Sequence, residues 1–131
     1  MRLLLDTHTL LWSLQDNRRL GRSARRRIED PRAEVWVSAA SVWELSIKAA
    51  VGRVGIGEAM LKGLLEQIQS HGFRELPVTG AHGMVAGTLP FHHHDPFDRM
   101  LIAQALAQDL TLVTADEQFA AYEVKTLAAD T

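Results

Sequence analysis

Three apolar runs constrain this chain more than any other feature. Leu3-Leu4-Leu5, Val35-Trp36-Val37 and Leu110 to Val113 are apolar at consecutive or nearly consecutive positions, not at alternate ones. Successive side chains of a strand point to opposite faces, so such runs predict strands buried on both sides, as in a parallel sheet with helices packed on each face. The predicted strands are Arg2 to Leu5, Glu34 to Val37, Phe73 to Val78, Leu110 to Val113 and Val124 to Leu127.

Helical patterns fill the intervals. Thr9 to Leu14 predicts a short helix broken at Asp16-Asn17, and Ser23 predicts the cap of an arginine-rich helix. That helix stops at Asp30-Pro31, because a residue before proline avoids helical angles. Ser38 predicts the cap of a helix running to about Val51, and Gly52, Gly55 and Gly57 mark a turn. Glu58 to Ser70 reads as one helix with Met60, Leu61, Leu64, Leu65 and Ile68 inward, ended by His71-Gly72. Thr79 to Thr88 is a weaker candidate, since Gly80, Gly83 and Gly87 each cost roughly 1 kcal/mol against alanine. Leu89 to Pro96 is expected to be a loop, Phe97 to Gln108 a strong helix, and a helical turn precedes the last strand. Strands alternating with helices predict a three-layer α/β/α sandwich around a mainly parallel sheet of about five strands. With 131 residues and no repeat or linker, residues 1–131 are expected to form a single domain.

Cysteine is absent, which fits a reducing compartment. The apolar stretch at Leu3 to Leu5 is too short for a signal-peptide core, and no run approaches the roughly 18 residues of a spanning helix. The expectation is a cytoplasmic protein without a membrane partner. The net charge of −2 says little by itself, because Arg18, Arg19, Arg22, Arg25, Arg26 and Arg27 crowd one segment.

Four acids occupy the positions where such a sheet gathers ligands. Asp6 and Asp116 each follow the apolar core of a strand, and ligands of parallel α/β sheets bind beyond the carboxyl ends of strands at a switch in strand order. Glu44 and Asp98 fall on helices, Asp98 in a first turn where the helix dipole favours a carboxylate. Carboxylates brought together repel unless cations lie between them, and their hard oxygens suit Mg²⁺ or Mn²⁺. Bound ions of that kind activate water and stabilise charge on a phosphodiester. Taken singly, each acid also has a plainer reading. Asp6 is a turn residue, Ser41 to Glu44 matches a capping box with a Glu44–Lys48 pair, Asp98 is a dipole partner, and Asp116 is a cap.

The wording around these acids narrows the choice. Leu3 to His8, Ser41 to Lys48, Asp95-Pro96-Phe97-Asp98-Arg99-Met100-Leu101-Ile102-Ala103-Gln104-Ala105 and Leu112 to Asp116 resemble the PIN-domain family. More narrowly, they resemble its VapC-type ribonuclease toxins of prokaryotic toxin–antitoxin pairs. The resemblance spans essentially the whole chain and is most specific from Asp95 to Ala105. It implies a metal-dependent endoribonuclease with Mg²⁺ or Mn²⁺ in an acidic pocket, RNA as substrate, a homodimer and a cognate antitoxin. By position, Asp6, Glu44 and Asp98 match the family's three core acids and Asp116 its more variable fourth. Thr7 and Thr114 fall where small polar residues support the site, and Asp95 adds an acid beside Asp98. The mildly acidic pI departs from the basic balance expected of an RNA enzyme.

Other features keep two readings each. His92-His93-His94 is either a solvated loop, the favoured reading, or a further metal or RNA contact. His8 is either structural or a substrate contact. The arginines form a solvated face with a possible phosphate-binding minority, or dock acidic residues of a partner. Trp36 is expected in the core; Trp12 and Trp43 are placed in the core by default, with an exposed apolar groove as the alternative. Two other functional classes remain. One is a non-catalytic α/β binding module; the other is a phosphoacceptor signalling domain, disfavoured because Asp6 is followed by Thr7 and His8 where a receiver pairs adjacent acids.

Overall fold

In a computed structural model, which describes residues 1–52 and 56–131, the apolar runs form the centre of a sheet. Its strands are β1 (Arg2–Leu5), β2 (Glu34–Ser38), β3 (Arg74–Leu76), β4 (Thr111–Thr114) and β5 (Thr126–Ala128). They are ordered β3-β2-β1-β4-β5, and every pairing is parallel. The chain moves outward from β1 through β2 to β3, then returns to lay β4 on the other side of β1. The switch in strand order therefore falls between β1 and β4.

Helices α1 (Thr7–Gln15), α2 (Arg22–Glu29), α3 (Ala39–Ala50), α4 (Glu58–Lys62), α5 (Leu64–Ser70), α6 (Gly80–Thr88) and α7 (Pro96–Gln108) fill the intervals, with a 3₁₀ turn at Glu117–Ala121. Alternation along the strands divides the core into two layers. Leu3, Leu5, Val35, Val37 and Val113 face α1, α2, α3 and α5 through Leu10, Leu11, Ala24, Ile28, Leu45, Leu64 and Ile68. Leu4 and Leu112 face the other way, against Leu101, Ile102 and Ala105 of α7, with Phe119 and Tyr122 closing that layer. Leu3, Leu4 and Leu5 are fully buried, each contributing about 2 kcal/mol of apolar transfer energy. The three-layer parallel α/β architecture is the one the apolar runs predict.

Several boundaries differ from the sequence reading, each for a physical reason. Helix α1 begins two residues early because Asp6 caps it, accepting the Thr9 N–H at 2.8 Å. Ser23 does not cap α2. The cap is Gly21, and backbone carbonyls of Ala129 and Thr131 accept the N–H groups of Gly21 and Ser23. A Cβ on Gly21 would lie 2.2 Å from the Thr131 backbone, so the C-terminal residues exclude any larger side chain there. The helix expected over Glu58 to Ser70 is two helices meeting at Gly63, whose φ of −91° and ψ of 5° end one and start the next. Leu65, expected inside, is exposed. Strand β3 stops at Leu76 because Pro77 has no N–H to give the ladder. Strand β5 starts two residues later than expected. The weak candidate forms as α6, where Thr79 and His82 make a reciprocal capping box. Gly52 adopts a φ of 71° at the turn after α3, while Gly55 lies outside the described residues.

Candidate metal centre

The carboxyl ends of β1 and β4 lie side by side, and the chain turns into helical structure directly after each. Asp6 leaves β1 with its backbone N–H bonded to the Val113 carbonyl at 3.1 Å. Its side chain is buried, with one oxygen accepting the Thr9 N–H at 2.8 Å and the other the Thr114 hydroxyl at 2.6 Å. Burial pushes the Asp6 carboxyl above its ordinary value, against the hydrogen bonds from Thr114 and Thr9 that favour the ion.

Glu44 reaches the same edge from α3. It is buried; Oε1 accepts the Thr7 hydroxyl at 2.6 Å and Oε2 meets Lys48 Nζ at 2.6 Å. Thr7 also lies 3.0 Å from the Ser41 hydroxyl, so Ser41 is an interior residue of α3 that buttresses this pair and not the start of a capping box. The Ser38 hydroxyl caps α3 as expected, accepting the Ala40 N–H.

Asp98 stands in the first turn of α7, whose cap is Asp95; one oxygen of Asp95 accepts the N–H groups of Phe97 and Asp98. The Asp98 carboxyl is pushed up to about 8, first by burial and then by the negative fields of Asp95, Glu44, Asp6 and Asp116. That last cause ties the site together, because all four other acids bear on one carboxyl. Asp116 follows β4; Oδ1 accepts the Gln118 N–H and caps the 3₁₀ turn, while its own N–H bonds the Thr114 hydroxyl at 3.0 Å.

All four core acids thus gather at the strand-order switch, with Thr7 and Thr114 as direct hydrogen-bond partners of Glu44 and Asp6. The capping roles of Asp6 and Asp116 are real as well. Each spends one carboxylate oxygen on a backbone N–H, which fixes the rotamer; the second oxygen accepts the Thr114 hydroxyl in Asp6 and faces His93 in Asp116, with a lone pair of each left to the pocket. The donor set fits a hard divalent cation. Carboxylates that hold one member's proton to about pH 8 through burial and then mutual repulsion ionise together only around compensating positive charge, and their oxygens are what Mg²⁺ or Mn²⁺ takes.

The histidine run corrects the sequence reading. His92 and His94 are exposed, as a solvated loop requires, but His93 is buried and points into the site. Its Nε2 lies 3.0 Å from Asp98 Oδ2 and 3.2 Å from Asp116 Oδ2. Among the described residues, His93, Asp98 and Asp116 bring ligand-type atoms within 4.8 Å of one another. No local sequence signal separates His93 from its two neighbours; Tyr122, Arg99 and the Asp95 backbone are what turn it inward. His8 is exposed beside Asp6, its ring 6.4 Å from Trp12.

Arg25 pairs with Asp16 at 2.6 Å, whereas Arg18, Arg19, Arg22, Arg26 and Arg27 are exposed, consistent with a solvated face. Trp36 packs partly buried on the second core layer. Trp43 is 63% exposed, contrary to its default placement in the core. Its ring meets Phe97 edge-on at 5.2 Å and lines an apolar groove with Ile47, Val78, Pro96 and Met100. No described helix is long and apolar enough to cross a membrane.

A sequence profile of the PIN domain matches residues 3–125. Ribonuclease VapC22 of Mycobacterium tuberculosis is 32% identical over 116 residues, covering 88% of this chain and 87% of its own. Among solved structures, VapBC2 from Rickettsia felis bound to a promoter DNA fragment superposes with a TM-score of 0.74 at 13% identity, over 97% of this chain and 98% of that one. FitAcB from Neisseria gonorrhoeae gives 0.66 at 22% identity over 97% of each chain. At these identities the structural matches establish a shared fold.

Proposed function

The chain belongs to the PIN-domain family, and on that premise we propose that it is the ribonuclease toxin of a toxin–antitoxin pair, a single-domain, divalent-metal-dependent endoribonuclease. One observation carries the reading: Asp6, Glu44, Asp98 and Asp116, spread over most of the sequence, meet at the strand-order switch, where the fields of the other three add to burial in raising the proton affinity of Asp98. The ribonuclease relative supports the activity, and the toxin–antitoxin neighbours support a protein antitoxin as partner.

In this reading Asp6, Glu44, Asp98 and Asp116 hold Mg²⁺ or Mn²⁺. Such an ion, when bound, supplies Lewis-acid stabilisation of phosphoryl charge and an acidified water. The chain's own residues fix the carboxylates that receive it. Thr9 and Thr114 lock Asp6 from both oxygens, Thr7 orients Glu44 against Lys48, and the caps of α7 and the 3₁₀ turn set Asp98 and Asp116. Asp95 has a supporting place, acting on the site through its cap of α7 and its field on Asp98. The substrate is single-stranded RNA. A cognate antitoxin and a second copy are the proposed protein partners, and the apolar groove at Trp43 is an exposed surface for an antitoxin segment packing on the early helices.

The test is cleavage of single-stranded RNA by the purified chain with Mg²⁺, with Mn²⁺ and with a chelator, beside Asp6→Asn. Wild type is expected to need the metal, and the variant to lose on the order of 10²-fold or more of the rate while retaining its fold. Full activity in the variant overturns the assignment. A chain that binds no divalent ion at these acids and cleaves no RNA favours a non-catalytic binding module.

A further inference from the structure

His93, Asp98 and Asp116 look at first like a three-residue metal site, but the hydrogen bonds around the imidazole point elsewhere. The Asp95 backbone N–H lies 3.3 Å from His93 Nδ1. A backbone N–H only donates, so Nδ1 offers its lone pair to Asp95 and the ring proton of the neutral imidazole sits on Nε2. An Nε2–H has no lone pair for a metal. It has instead two carboxylate oxygens within donor reach, Asp98 Oδ2 at 3.0 Å and Asp116 Oδ2 at 3.2 Å.

The residue is held in that attitude through its backbone and through its ring. The His93 N–H bonds the Tyr122 hydroxyl at 2.9 Å, and that hydroxyl donates to the Pro90 carbonyl at 2.6 Å. The buried Arg99 guanidinium donates to the carbonyls of Ala86, Leu89, Pro90 and His93 and stacks over the Phe91 ring at 4.5 Å. It therefore ties the end of α6 to the loop that carries His93. Phe119 packs 5.5 Å from the imidazole. A loop residue pinned by four neighbours is not a solvated histidine.

We propose that His93 is a positioning residue that bridges Asp98 and Asp116 through its Nε2–H and is not itself a metal ligand. The two acids arrive from different elements, α7 and the end of β4, and once both are ionised their like charges drive them apart. A shared donor between one oxygen of each holds them at fixed separation, while Asp98 Oδ1 and the second lone pair of Asp116 Oδ1, whose first serves the Gln118 N–H, stay available to the ion. This role rests on the metal centre proposed above.

Mn²⁺ titration of the full-length chain, monitored calorimetrically and by electron spin echo spectroscopy, tests it together with ¹⁵N imidazole shifts recorded with and without Mg²⁺. Wild type should show a protonated Nε2 and an unprotonated Nδ1 at His93, unchanged by Mg²⁺, and bound Mn²⁺ should show no directly coordinated nitrogen. His93→Phe, which keeps the ring volume but not the donor, should weaken Mn²⁺ binding by about 10- to 100-fold, the usual loss when an outer partner of a metal ligand is removed. His93→Gln, with an amide N–H near the Nε2 position, should restore most of it. Tyr122→Phe, which touches neither acid, should weaken binding in the same direction. Direct nitrogen coordination, a proton on Nδ1, or wild-type Mn²⁺ affinity in His93→Phe overturns the bridge while leaving the metal centre standing. Wild type that binds no Mn²⁺ overturns the metal centre, and the bridge with it.

Discussion

Asp98→Asn should make the metal-free protein more stable at neutral pH while removing its metal-dependent activity. In the unfolded chain this carboxyl ionises near 3.8, whereas in the folded chain it holds its proton to about 8. Below pH 4 it is protonated in both states and costs nothing. As pH rises through the window from about 4 to 8, the unfolded chain releases the proton and the folded chain keeps it, so stability falls, and above 8 the loss is complete. At pH 7 the gap is roughly three pH units of linkage at 1.36 kcal/mol each, or ~4 kcal/mol. The side chain is 23% exposed, and water there trims the penalty to about 2–4 kcal/mol. Asparagine cannot ionise and escapes it. Asp6, raised as well, tilts the curve the same way in both proteins, so their difference isolates Asp98. Urea unfolding at intervals from pH 4 to 9 in chelator should give curves that converge at low pH and diverge by that amount near pH 7. Saturating Mg²⁺ should narrow the gap by stabilising wild type alone. A variant no more stable than wild type at pH 7, or a wild-type curve flat from pH 5 to 8, refutes the electrostatic account.

Thr114→Val removes the hydroxyl that donates to Asp6 and accepts the Asp116 N–H; RNA cleavage should fall about tenfold or more with the fold intact, and an unchanged rate would remove Thr114 from the supporting set. Arg99→Met deprives four carbonyls of their donor and should cost about 3 kcal/mol or more in urea unfolding, whereas a cost under 1 kcal/mol would mean that water replaces the guanidinium freely. Trp43→Asp places a charge in the apolar groove; if that groove joins two copies, the variant should run as a monomer in light scattering after size exclusion where wild type runs as a dimer, and equal masses for the two would place the groove outside any such interface.

What the sequence made legible were the features decided locally. The consecutive leucines at 3 to 5 specify a strand buried on both sides, and an acid directly after such a strand lies at the carboxyl edge of the sheet whatever the remainder does. That suffices to place Asp6 and Asp116, and helix periodicity places Glu44 and Asp98 on helices packed beside them. Features decided by distant partners were not legible. The cap of α2 depends on carbonyls at Ala129 and Thr131, about a hundred residues away in sequence, so Ser23 looked the better cap. The break at Gly63 sits inside an unbroken apolar period, which continues across two helices as readily as along one. His93 is the sharpest case. Three adjacent histidines are locally equivalent, and only Tyr122, Arg99 and the Asp95 backbone turn the middle one inward.

The capping and ligand readings of the acids, posed against each other from sequence, prove compatible because a carboxylate has two oxygens. Asp6 and Asp116 each give one to a backbone N–H near the start of the helical segment that follows. That bond fixes the side chain before any ion arrives, so the ordering entropy of the ligand is met in folding and not in binding. The cost appears elsewhere, as the raised proton affinities of Asp6 and Asp98. A site built this way should bind its cation more tightly as pH rises toward 8, since the ion displaces the Asp98 proton. Calorimetric Mg²⁺ titration in buffers of different ionisation enthalpy should therefore register close to one proton released per binding event at pH 7. Release of none would mean that Asp98 is already ionised in the metal-free protein, and the stability difference expected for Asp98→Asn would vanish with it.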